Sequence, residues 1–390
     1  MFQNSSFDNT EVAFSLKTDS ELERAYFLFK MISHQPLVRI GTAATNFALK
    51  AKLPVEGLIR ATVFDHFCGG VNEEDCIPVI DKMFTKGVCS VLDYSVEGKE
   101  DEEQFDSAKE KILKIIRFAD EKEAMPIVVF KPTGFGRFAL FQKIGEKKSL
   151  TTDEKDEWNR VVARFNDVCK LAKEKDIEIL IDGEESWMQD AADDLVEDMM
   201  RLYNTEKPIV YNTLQTYRWD RVAYLKEIHK RANSGGFKLG FKIVRGAYME
   251  KERKRAEENN YKSPICETKQ ATDDSFNEAM VYILDNLNDI SVFIGSHNEE
   301  SHYLAMDIMA QKDIAKNDNR VWFGQLYGMS DHISYNLSNL GYNVAKYVPF
   351  GPVKDVMPYL IRRAEENTSV EGQTGRELML LTKEKKRRKS

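Results

Sequence analysis

Short runs of β-branched and aromatic residues recur along the chain, each followed by a longer charged stretch whose apolar positions fall three and four residues apart. The runs occupy 88–94, 127–131, 177–182, 209–211, 239–244, 290–294, 321–325 and 344–348. Runs this short, bounded by polar or turn residues, predict buried strands; stretches such as 154–173 and 190–203 predict amphipathic helices. Eight strands alternating with helices give an α/β fold and suit a (βα)8 TIM barrel better than a doubly wound sheet. Residues 1–85 read as an N-terminal helical arm or cap, 86–370 as the barrel and 371–390 as a charged C-terminal tail.

In such barrels the chemistry sits where strands give way to loops at their C-terminal ends. Here every candidate strand ends in a polar group: Asp93 with Tyr94, Lys131, Asp182 with Glu184 and Glu185, Gln215 with Tyr217, Lys242 with Arg245, His297 with Asn298, Gln325, and Tyr347. Loop polarity alone supplies several of these, and the segment after the last strand is more specific. Gly351-Pro352 stops the strand and opens a helix, because proline suits a first helical turn. Val353, Val356, Met357, Leu360 and Ala364 fall on one stripe of that helix, and Tyr359, Arg362, Arg363 and Glu366 on a second. Adjacent arginines can straddle a carboxylate while the glutamate orients one of them. The same spacing also describes a solvated face with i,i+4 pairs.

Composition narrows the partners. With 42% apolar and 11% aromatic residues in a chain of 390, a sizeable core is available and wholesale disorder is excluded. A net charge of −8 argues against nucleic acid as a partner. Against that acidic background Lys131, Lys242, Arg245, Arg362 and Arg363 gather on the inferred active face, which implies an anionic ligand with phosphate and carboxylate groups. No apolar run reaches membrane-spanning length, the N-terminus lacks the layout of a secretory signal or transit peptide, and five scattered cysteines suit a reducing compartment. These features predict a cytoplasmic protein. The basic run 383–389 reads as a frayed, solvated end; its other reading is peripheral contact with the inner, anionic face of a membrane.

Two motifs resemble sites and are set aside. Residues 134–139 (GFGRFA) fit G-x-G-x-x-A, but 142–153 reads as a long loop where a dinucleotide fingerprint needs a helix. His297 and His302 lack zinc-ligand spacing and no cysteine or carboxylate cluster completes a set, so no metal is expected.

At these residues the chain resembles the proline dehydrogenases, from about residue 25 to 380. The resemblance rests on 61–70 (ATVFDHFCGG), 181–186 (IDGEES), 215–217 (QTY), 242–248 (KIVRGAY), 296–298 (SHN), 325–329 (QLYGM) and 359–367 (YLIRRAEEN), in this order and spacing. It implies a distorted, flavin-binding (βα)8 barrel whose last helix lies over the active site. It further implies noncovalent FAD, hydride transfer from C5 of L-proline to flavin N5, the product Δ1-pyrroline-5-carboxylate, and a quinone as electron acceptor.

By the same resemblance Arg362, Arg363 and Lys131 would clamp the proline carboxylate, Glu366 would hold an arginine, and Tyr347 and Asp182 would join that network. Tyr248, Leu326 and Tyr359 would wall the substrate ring. Gln215, Lys242, Arg245, Gly246 and His297 would contact FAD, with Thr268 and Lys269 near its adenosine end.

Two departures stand out. Bifunctional bacterial relatives usually carry Arg where this chain has Lys242 and Lys where it has Arg245, and a Trp where it has Met249. Both features resemble the monofunctional branch, so the second oxidation is expected from a separate pyrroline-5-carboxylate dehydrogenase. Three rivals remain: a hydroxyproline dehydrogenase of the same family, against which bulky Tyr359 argues; another barrel flavoenzyme, such as a folate reductase; and a non-catalytic proline sensor or scaffold.

Overall fold

The computed structural model describes the backbone of residues 6–34, 56–94, 100–369 and 373–389; side chains at 56, 58, 61, 364–369, 373 and 374 lie outside the description. Eight strands form one sheet: β1 (Val88–Tyr94), β2 (Ile127–Phe130), β3 (Glu178–Ile181), β4 (Val210–Gln215), β5 (Leu239–Val244), β6 (Ile290–Gly295), β7 (Val321–Leu326) and β8 (Val344–Phe350). Each strand from β2 to β8 neighbours the next, and β1 pairs with β8 in parallel from Val88 opposite Val344 to Tyr94 opposite Phe350. Parallel pairs with helical crossovers in cyclic order make the (βα)8 barrel that the periodicity predicts.

The helices begin where local chemistry starts them. Thr151 and Glu154 form a reciprocal capping box ahead of Thr152–Lys175, and Thr18 and Glu21 do the same for Asp19–Ile32. Strand interiors are almost wholly buried, as parallel sheets covered by helices require. The largest misreading is β4, which extends through Gln215 although its apolar run ends at Tyr211. Buried Asn212 makes the extension tolerable by donating to Asp193 at 3.0 Å.

Contacts divide the chain into two compact units. One comprises Met1–Glu97, His297–Glu299 and Gly324–Ser390; the other comprises Gly98–Ser296 and Glu300–Phe323. The first unit contains the helices ahead of β1 together with β1, β8 and the helices Val353–Ser369 and Gln373–Arg387. In it Gly69 donates its N–H to the Pro349 carbonyl at 2.9 Å, and His66 bonds the Gly328 carbonyl at 2.9 Å. Gly328 has φ +78, and a Cβ there would lie 2.2 Å from the His66 carbonyl oxygen, so the segments 61–70 and 325–329 are matched surfaces.

Two expectations are corrected. Residues 142–153 are not a long loop, because helix Phe138–Gly145 begins two residues after Gly136 and Thr152–Lys175 follows soon after. Gly136 still has a packing role, since a Cβ there would sit 2.4 Å from the Val161 side chain. Nor is the basic run 383–389 a frayed end. Helix Gln373–Arg387 buries Leu380 and Leu381 against Phe14, Leu22, Ala25 and Phe29. Its basic residues are engaged: Lys385 pairs with Glu23 at 2.7 Å, and Arg388 with Asp19 at 2.8 Å and with Glu384 at 2.8 Å. Among the described residues no helix is long and apolar enough to cross a membrane.

Candidate active site

In the second unit the loop after β3 carries Asp182, Glu184, Glu185 and Ser186, and each has its own partner. Asp182 pairs with Lys242 of β5, and Glu185 with Lys251. Ser186 donates its N–H and its hydroxyl to Glu252, each at 2.6 Å. Gln215, at the end of β4, donates to the Glu184 carbonyl at 2.6 Å. Glu184 accepts from the Thr133 hydroxyl at 2.7 Å and from the Thr133 N–H at 3.0 Å, just past Lys131. Burial pushes the Glu184 carboxyl up to about 7, and the Lys131 ammonium pulls it only part of the way back.

That titration has two consequences. Because its folded pKa is raised, Glu184 contributes stability that is fully present below the unfolded value of about 4.3 and lost as pH climbs through the folded one. Ionised Glu184 also offsets the charge of Lys131. The KM of a carboxylate substrate held by Lys131 is therefore expected to rise as pH passes about 7, and Glu184→Gln to flatten that rise. A KM–pH profile of the two proteins checks it; identical profiles would refute the coupling.

Arg245 follows β5 and is held on three sides. It donates to Asp273 at 2.6 Å, to the Ser296 hydroxyl at 2.9 Å and to the Ser301 hydroxyl at 3.0 Å, with its guanidinium 4.4 Å from the Phe276 ring centroid. Burial opposes ionisation of Asp273, but Arg245 and Lys269 together hold its carboxyl below the ordinary range. Lys269 pairs with Asp273 at 3.0 Å, and Thr268 caps helix Lys269–Asp285 by accepting from the Ala271 N–H at 3.1 Å. The structure thus brings Lys269 and Arg245 onto one carboxylate. Asp273 escaped the sequence reading, although its i,i+4 spacing from Lys269 was visible.

Gly246 comes next, with φ +130, and a Cβ there would lie 2.6 Å from the Tyr217 ring. Gly246→Ala is expected to destabilise the protein by about 1–3 kcal/mol and to displace Arg245. Thermal melting and cofactor retention measure the two effects; an unchanged melt would contradict the strain. Tyr248 is half-buried and Met249 exposed at the start of helix Met249–Glu258.

In the first unit the second stripe of helix Val353–Ser369 is not a solvated face. Tyr359 is 6% and Arg363 8% exposed, and the Arg363 guanidinium lies 5.1 Å from the Tyr359 ring centroid. Arg362 is half-buried, and the Glu366 side chain lies outside the described residues. Tyr347 is buried in β8 and Leu326 half-buried at the end of β7. His297 Nδ1 is 2.9 Å from the Ser330 hydroxyl. Lys346, beside Tyr347, was overlooked in the sequence. Fully buried, it donates to the Met329 carbonyl at 2.6 Å and pairs with Asp331 at 2.8 Å, while Lys17 reaches the same Asp331 at 3.0 Å.

Comparison with known families decides the resemblance. The family model described as proline dehydrogenase matches residues 76–376. The chain belongs to the proline dehydrogenase family. That family is one of oxidoreductases. Among its relatives, the carbapenem antibiotics biosynthesis protein CarD of Pectobacterium carotovorum is 38% identical, covering 90% of this chain and 91% of its own. Proline dehydrogenase 2, mitochondrial, of Arabidopsis thaliana is 30% identical over 95% of this chain and 87% of its own. Hydroxyproline dehydrogenase of Xenopus laevis is 29% identical over 96% and 88%. Among solved structures, proline utilization A of Bdellovibrio bacteriovorus, inactivated by N-propargylglycine, superposes with a TM-score of 0.73 at 20% identity. This likeness shows the barrel fold; it covers 95% of this chain and 40% of that one.

Proposed function

We propose that this protein oxidises L-proline to Δ1-pyrroline-5-carboxylate with noncovalently bound FAD, passing electrons to a quinone and its product to a separate pyrroline-5-carboxylate dehydrogenase. The reaction would be the first step of proline breakdown to glutamate. A buried arginine on the last barrel helix, stacked on Tyr359 with Arg362 beside it, carries the reading. The planar fork of a guanidinium matches a carboxylate.

The cofactor makes demands that the residues can be tested against. A flavin dinucleotide needs cations for its pyrophosphate and hydrogen-bonding groups for its ring. Lys242, Arg245 and Gln215 at neighbouring strand ends are such a set, and Arg245 is fixed in place before any ligand arrives. The residues fit. When bound, FAD supplies the acceptor for the hydride equivalent leaving proline C5.

The chain's own residues would do the rest. Arg362 and Arg363 would bind the carboxylate and fix which ring atom is presented. Leu326 and Tyr359 would keep water from the apolar ring. Asp182 offsets the Lys242 charge, and Asp273 that of Arg245. Turnover of L-proline with a soluble quinone, giving a trappable cyclic imine, supports the proposal; no turnover in the FAD-loaded protein contradicts it.

The Xenopus relative raises hydroxyproline as a second substrate. A bulky Tyr359 ring against the substrate would crowd a C4 hydroxyl, so Tyr359→Ser is expected to raise activity on hydroxyproline relative to proline. An unchanged ratio would remove the steric argument. The Pectobacterium relative favours a second reading of the product's fate, in which the same imine feeds a biosynthetic pathway.

A further inference from the structure

The C-terminal helix does more than cover the N-terminal segment. Its buried face is formed by Glu377, Leu380, Leu381 and Glu384, and the leucines account for the packing. Glu377 is spent differently. Its carboxylate, 6% exposed, accepts the Ser330 N–H at 2.5 Å.

Ser330 is a non-glycine residue at φ +51, ψ 40, a left-handed conformation that needs outside support. Its hydroxyl lies 2.9 Å from His297 Nδ1. The neighbouring Arg376 holds the other flank of the same loop, donating to Glu299 at 2.7 Å and 3.1 Å, and Glu299 lies 3.0 Å from His332 Nε2. Two adjacent residues of one helix thus grip the loop bearing His297, one through Ser330 and one through Glu299.

We propose that Glu377 is a positioning residue for the flavin site: by holding Ser330 in its left-handed conformation it orients the His297 imidazole. The inference rests on reading His297 as a cofactor contact. The relation is that of an outer-shell partner orienting a ligating histidine.

The test measures FAD dissociation constants and flavin absorption spectra, without substrate, for the full-length protein and four variants. Glu377→Ala is expected to weaken FAD binding about tenfold, the lower end of what such partners contribute at metal-bound histidines. Glu377→Gln, which keeps an acceptor for the Ser330 N–H, should restore most of the affinity. Leu380→Ala should lower the melting temperature and leave affinity and spectrum unchanged. In a His297→Ala background, Glu377→Ala should have no further effect on FAD binding. Additive losses in the double variant would overturn the proposal, as would Glu377→Ala behaving like Leu380→Ala. If His297→Ala alone leaves FAD affinity unchanged, the reading of His297 fails and this inference falls with it. Failure of the inference alone shows instead as a His297 effect that Glu377 does not share.

Discussion

Arg363→Ala should raise the KM for L-proline by about 30- to several-thousand-fold and leave FAD bound, the consequence of truncating one partner of a buried charge pair at about 2–5 kcal/mol. The side chain is 8% exposed and lies along Tyr359, on the helix that opens at Pro352. A substrate carboxylate entering beside it exchanges water for a fixed guanidinium, and without that group it loses hydration uncompensated. Arg363→Lys keeps the charge but not the fork and should recover only part of the loss. Steady-state kinetics on flavin-loaded protein give the answer. A KM within threefold of wild type would mean that the carboxylate binds elsewhere.

Asp331→Asn should cost about 3–5 kcal/mol of stability, the range for breaking a buried ion pair by removing one partner. Asp331 lies between the ammonium groups of Lys17 and Lys346, and its loss leaves the buried Lys346 charge facing the partly exposed Lys17 charge. Burial alone would raise the Asp331 pKa, but the two lysines hold it well below the carboxylate range. For a depressed acid the stabilisation is complete above the unfolded pKa, about 3.9, and is lost as pH falls from there through the folded value. Burial also lowers the Lys346 pKa, more than Asp331 and its hydrogen bond restore. Lys346→Met should therefore recover part of the loss in the Asp331→Asn background. Denaturant unfolding at neutral pH and near pH 3 measures both effects; a change below about 1 kcal/mol would mean the triad resembles a surface pair.

The barrel was legible because its strands are nearly uniform apolar runs, which parallel sheets covered by helices demand. Where β4 admits Asn212 and Thr213, the pattern stops early, because hydrogen-bonded polar residues can occupy a strand interior without announcing themselves. The C-terminal helix was misread for a related reason. Two of the four residues on its buried face are glutamates, so hydrophobic periodicity breaks just where Glu377 and Glu384 do their pairing.

The site divides along the same line. Residues at strand ends, such as Asp182, Gln215, Lys242 and Arg245, follow from position alone in a barrel. Asp273, Ser330, Lys346 and Glu377 are brought in from helices, loops and a neighbouring strand position, and only three-dimensional contacts reveal them. The exchange of Lys and Arg at 242 and 245 has a local rationale. A lysine fits the single Asp182 carboxylate, whereas Arg245 needs its fork to reach Asp273, Ser296 and Ser301 together.

Anaerobic mixing of the purified, FAD-loaded protein with L-proline tests the central claim most directly. The account predicts that the oxidised flavin absorbance bleaches with L-proline, fails to bleach with NADH or a reduced folate, and returns when a quinone is added. An oxidised spectrum that persists in saturating L-proline would contradict it.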